Sequence, residues 1–157
     1  MDTAPPPLVD ATARVTSLIC FAIMASIPFY VAIAWIVVGQ SEGAAVAALP
    51  PVLTWALGAV GIVMLVVAQA VWGAMKRTAT TKPTAFERIN AYRIAAIVSF
   101  ALRESVAIIG LVITMLTGDM RWCMALAAAA LLAMLLGWPR RADMQRLAGD
   151  QAATPFG

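Results

Sequence analysis

From Val15 to Val38 the chain runs for 24 residues without a charged side chain. At 1.5 Å per residue, a helix of that length crosses a hydrocarbon core about 30 Å thick. Three further apolar stretches follow at about 52–75, 91–117 and 120–138. Lipid offers no partner to an unpaired backbone N–H or C=O, so such segments can cross only as helices or as strands of a closed barrel. Continuous apolar runs of this length, without strand-like alternation, select helices. The expected fold is therefore all-α, an integral membrane four-helix bundle over 15–138 with tails at 1–14 and 139–157.

Composition points the same way. The chain is 62% hydrophobic and 12% charged, with a mean hydropathy of +0.88, against about 45–50% and about 25% for soluble domains. It contains no histidine, which excludes histidine metal centres, histidine-ligated haem and Ser-His-Asp chemistry. No metal site or cofactor is expected. Cys20 and Cys123 fall near opposite membrane faces, too far apart for a disulfide, and read as small apolar helix residues. The start, MDTAPPPLVD, is acidic and proline-rich where a signal peptide would be basic, so the first run is expected to stay as a span.

Within this pattern the landmarks are turn residues and caps. Pro5, Pro6 and Pro7 disfavour a helix before about Asp10, and Pro28 should kink the first span. Gly39 to Pro51 reads as an exposed loop, and Lys76 to Pro83 as a basic one. Thr84 with Glu87 matches a capping box. A helix from Thr84 to Thr117 would span roughly 51 Å, so its first turns, carrying Arg88 and Arg93, should project beyond the bilayer core. Gly118 and Asp119 form a tight turn, Pro139 stops the last span, and the tail beyond it has room for a short interfacial turn.

Charge sets orientation. Arg14, Lys76, Arg77, Lys82, Arg88, Arg93, Arg140, Arg141 and Arg146 lie at one end, while the other end holds only Arg121. Under the positive-inside rule this places both termini in the cytoplasm and the protein in the inner (cytoplasmic) membrane. All five tryptophans fall near span ends, as an aromatic belt requires. The pI of 9.3 is then a topological signature, with no nucleic-acid partner implied.

An offset of 79 residues lays 13–40 on 92–119 without a gap, matching Arg14 with Arg93, Phe21 with Phe100, Ala22 with Ala101, Ser26 with Ser105 and Gly39 with Gly118. A duplication of this kind would produce two parallel hairpins related by an axis along the membrane normal.

Arg103 and Glu104 stand alone in the apolar interior of the third span, in the copy whose counterpart carries Met24 and Ala25. A charge at a membrane helix centre costs roughly 2.5–3.5 kcal/mol on insertion scales, so it persists where something uses or neutralises it. Ser99, Arg103, Ala107, Gly110 and Thr114 share one small and polar face. Glu104 lies about 100° round, next to Ala101, Ile108 and Leu111, so it and Arg103 need not pair with each other, and Ser105 is a further polar candidate for a helix contact. In the second span, Thr54, Gly58, Gly61, Leu65 and Gln69 make a similar stripe, with Gln69 bonding to another helix or reaching for the interface. The pair has three readings: a hydrogen-bonded ionic cluster fixing helix register, an ion or proton site on Glu104, or a contact for a lipid or quinone headgroup or a partner subunit.

At Ala101, Leu102, Glu104, Ala107, Ile108, Gly110, Leu111 and Val112 the pattern AL-x-E-x-x-AI-x-GLV resembles the carboxylate-bearing helix of the proteolipid (c) subunits of rotary ATPases. The resemblance implies an ion- or proton-binding role for Glu104. Against it, Glu104 lies on the first helix of its hairpin where the family uses the second, the first span has no glycine before Gly39, and Arg103 beside the carboxylate favours its ionised form. A membrane enzyme would have only Glu104, Arg103, Tyr92 and Asn90 to work with, and these form no known catalytic set. The expectation is a non-catalytic accessory or structural subunit, contacting the bilayer and either other membrane subunits or its own copies.

Overall fold

A computed structural model describes residues 6–40 and 50–149. Among them are four long helices, α1 (Pro6–Gln40), α2 (Pro51–Thr80), α3 (Ala85–Thr117) and α4 (Met120–Leu136), and a short α5 (Arg141–Gly149). There is no strand among the described residues. Four helical stretches, within α1, along α2 and α3, and from Met120 at the start of α4 to Gly149, are apolar and long enough to cross a membrane, so the chain is an all-α, multi-pass membrane protein.

Helix α3 is the hub, lying against α1, α2 and α4, while α1 and α2 scarcely meet. Connected helices thus pack as a closed hairpin in α3–α4 but not in α1–α2. The α3–α4 turn explains the difference locally. Gly118 adopts the left-handed conformation (φ 72°), where a glycine carries no Cβ penalty, and its N–H donates to the Thr114 carbonyl at 2.8 Å. Asp119 then caps α4 by accepting from Arg121 N–H at 3.0 Å. The α1–α2 connection, expected as an exposed loop, lies at 41–49, outside the described residues.

Small residues set the helix spacing. A Cβ on Gly110 of α3 would lie 3.2 Å from the Cys123 Cα and 3.2 Å from the Trp122 carbonyl oxygen of α4. On α2, Gly58 receives the Trp122 ring and Gly61 the Leu126 side chain. The core between them holds Ile27, Phe100, Val106, Ile113, Leu126 and Met134.

Two boundaries differ from the sequence reading. Helix α1 begins at Pro6, ahead of Asp10, because a proline in a first turn gives up an N–H that has no intrahelical partner there. Pro28 lies inside this helix. Helix α2 continues through Lys76 and Arg77 to Thr80, with the Thr78 and Thr80 hydroxyls bonding back to Ala74 and Arg77 carbonyls and Arg77 favourably placed at the negative end of the helix dipole. Thr84 caps α3, accepting from Glu87 N–H at 3.2 Å.

Where the tail had suggested no more than a turn, α5 makes two and a half. Its Met144, Leu147 and Ala148, at helical spacing, bury against Val9 and Ala13 of α1, Ala79 of α2, and Ile89 and Tyr92 of α3. Asp143 binds Lys76 Nζ at 2.8 Å and accepts from the Tyr92 hydroxyl at 3.2 Å, while Arg141 pairs with Asp10 at 2.6 Å. The short helix therefore gathers the ends of α1, α2 and α3.

Candidate functional site

Adjacent residues on a helix point about 100° apart, and α3 uses this to send its two charges to different neighbours. Glu104 faces α1. Its Oε1 accepts from the Ser26 hydroxyl at 2.5 Å and from the Tyr30 hydroxyl at 2.7 Å. Ser26 and Tyr30 are four residues apart and so share a face of α1. The single Ser26 proton also lies within reach of the Ile23 carbonyl at 2.7 Å. A carboxylate acceptor makes the stronger bond, so the proton favours Glu104.

Arg103 is buried, 1% exposed. Helical side chains lean toward the helix N-terminus, and its guanidinium accordingly rises toward the basic end. There Nη2 donates to Gln69 Oε1 of α2 at 2.8 Å, and the Cζ sits 5.8 Å from the centre of the Phe100 ring. Phe100 in turn meets Trp138 edge-to-face at 5.8 Å. Nε and Nη1 have no hydrogen-bond partner among the described residues. What lies beside them is Gly137, just past the last turn of α4, so close that a Cβ there would overlap Nη1. The negative end of the α4 dipole thus faces the cation and offsets part of its desolvation cost.

The other polar residues singled out from the sequence separate by partner. Thr114 bridges α3 to α4, donating to the Asp119 carbonyl and accepting from Cys123 N–H, both at 3.0 Å. Among the described residues Ser105 bonds within its own helix, to the Leu102 carbonyl at 2.7 Å. The Ser99 hydroxyl is buried without a partner among the described residues. Gln69 joins α2 to Arg103, so the structure assembles Glu104, Arg103 and Gln69 with Ser26 and Tyr30, and leaves Ser99, Ser105 and Thr114 outside that cluster. Ser26 and Tyr30 were not anticipated as partners. They are the only hydroxyl-bearing side chains between Leu18 and Val38, and their spacing of four was the available signal.

The cluster can hold a carboxylate with neutral donors and a cation with a neutral acceptor. Cys20 and Cys123 are both buried and unpaired, and no group of His, Cys, Asp and Glu able to hold a metal occurs among the described residues. No protein-family model matches the chain, and no curated protein or solved structure matches it either.

Proposed function

We propose that this protein is a non-catalytic accessory or structural subunit of a complex in the cytoplasmic membrane, with both termini in the cytoplasm. The observation that carries the proposal is how the intramembrane charges are engaged. Glu104 is bonded to two hydroxyls of α1 and Arg103 to an amide of α2, so each acts as a cross-link from the hub helix to a neighbour. A buried polar group that registers helices is among the better attested uses of such residues. Orientation rests on the nine Lys and Arg at one end against Arg121 at the other. The repeat relating 13–40 to 92–119 fits an ancestral hairpin whose first copy lost close packing between its own helices.

The test is purification from native membranes in a mild detergent. A larger membrane complex that co-purifies in fixed proportion supports the proposal, and a stable monomer with no partner overturns it.

A second reading is favoured by one detail: Glu104 is held by hydroxyls, with no cation bonded to it among the described residues, as suits a carboxylate that exchanges an ion or proton. Under this reading the protein translocates protons or ions in the manner of the proteolipids its third span resembles. Vesicles loaded with a pH-sensitive dye decide it. Proton leak present in the wild type and lost in Glu104→Gln supports translocation, whereas equal leak in both removes it.

A further inference from the structure

At the basic end an open groove of about 540 Å³ lies between α1 and the α4–α5 junction. This falls within the range of roughly 300–1,000 Å³ usual for ligand sites. Its lining is graded along α1. Asp10 and Arg14 stand at the outer end, Ser17 follows one turn deeper, and Leu18 and Phe21 stand within the apolar run. Trp138 and Arg141 close the opposite wall. From residue 10 to residue 21 the helix rises about 16 Å. Charge, then a hydroxyl, then bare hydrocarbon over that distance is the order in which a phospholipid presents headgroup, ester region and acyl chain.

We infer that this groove is a binding site for one anionic phospholipid, its phosphate beside Arg14 and an acyl chain along Leu18 and Phe21. Charge complementarity chooses the lipid. Arg141 is already paired with Asp10 at 2.6 Å, so the lining carries one net positive charge, on the exposed Arg14. That charge matches the single negative charge of a phosphatidylglycerol and is left unmatched by a zwitterionic headgroup. Basic pockets between membrane helices are suited to anionic headgroups, each cation near the surface strengthening the attraction about fivefold. Trp138, an amphipathic ring just past the end of the last helix of the bundle, is of the residue type enriched at such a boundary. The inference needs only that this end meets a lipid headgroup layer, and so is independent of the proposed partner complex.

Native mass spectrometry of the full chain tests it, after equilibration in mixed micelles with phosphatidylglycerol, with phosphatidylcholine of the same acyl chains, or with inorganic phosphate. One phosphatidylglycerol should be retained about fivefold or more over phosphatidylcholine, with no retention of inorganic phosphate. Arg14→Gln and Arg141→Gln should each reduce that preference, while Arg14→Lys, and Arg146→Gln outside the groove, should keep it. Far-ultraviolet circular dichroism checks that each variant folds. Equal retention of the two lipids, a preference unchanged in Arg14→Gln, phosphate bound as well as the lipid, or a dimer formed on this face with no lipid retained would each overturn the inference.

Discussion

Arg103 poses a question of cost at the scale of a single residue. Its cation is buried with one hydrogen bond to a neutral amide, two further nitrogens unpartnered among the described residues, and a helix end nearby. Neutral partners and a dipole worth about 0.3–1 kcal/mol recover only part of a desolvation penalty of several kcal/mol. Replacement by an apolar side chain of similar length should therefore be neutral or stabilising. Arg103→Met is expected to change stability by between about 0 and 4 kcal/mol in the favourable direction, measured by unfolding in mixed micelles. If the same variant loses its co-purifying partner, the arginine is kept for association and not for folding. A loss of stability would mean the cation is satisfied in the membrane by a group such as water or lipid. Glu104 differs, because both its bonds cross to α1. Tyr30→Phe removes one donor and should cost about 0.6 kcal/mol, and no more than about 1.7, the average and the maximum for hydrogen bonds between membrane helices. In Glu104→Ala the same Tyr30→Phe change should cost close to nothing, and a double-mutant cycle measures the difference.

At the scale of elements, the tight seam is between α3 and α4. Gly110 faces backbone atoms of α4, which cannot swing aside, so Gly110→Ala should overpack the seam and destabilise by about 1–3 kcal/mol. At Gly73 of α2 an added Cβ would meet nothing within 4 Å, and Gly73→Ala should leave stability unchanged or slightly raised when unfolded under the same conditions. The seam was legible beforehand because Ser99, Arg103, Ala107, Gly110 and Thr114 repeat at helical spacing, and periodicity is a local property. Docking of α5 was less so, although Met144, Leu147 and Ala148 carry the same spacing, because nine residues with several charges cannot hold a helix without the surface they cover. Asp143 links that docking to pH. It stands on α5 beyond the apolar run, and the hydrogen bond and charge of Lys76 hold its carboxyl below the ordinary value. A lowered folded-state pKa contributes stability above the unfolded value, and that contribution is lost as pH falls through the folded one. Attachment of α5 should thus be unchanged from neutral pH down to about pH 4 and weaken below it. Because Lys76 is 44% exposed, the effect should be within about 1 kcal/mol. The α5 amide resonances, followed by NMR during acidification, should shift over that window, and Asp143→Asn should abolish the transition.

For the whole molecule, four spans and their order followed from hydropathy, because apolar length is additive along the chain. Which helix receives each charge did not, since it depends on how α1 and α2 are placed round α3. Gln69 was readable as a candidate, but Gly137 beside Arg103 follows only from where α4 ends relative to α3. Orientation is a property of the whole chain as well, and it can be read chemically. Native Cys20 and Cys123 are each 0% exposed and should be silent toward a membrane-impermeant thiol reagent, so introduced cysteines report alone. Asp119 lies at the α3–α4 turn and Ala142 on α5; both are exposed and stand at opposite ends of the bundle. With nine basic residues at the α5 end and Arg121 at the other, Asp119→Cys should label in intact cells and Ala142→Cys only after lysis. The reverse pattern would invert the proposed topology. Labelling of both sites in intact cells would contradict a passage through the membrane between them, because α4 is the only long helix separating the two positions.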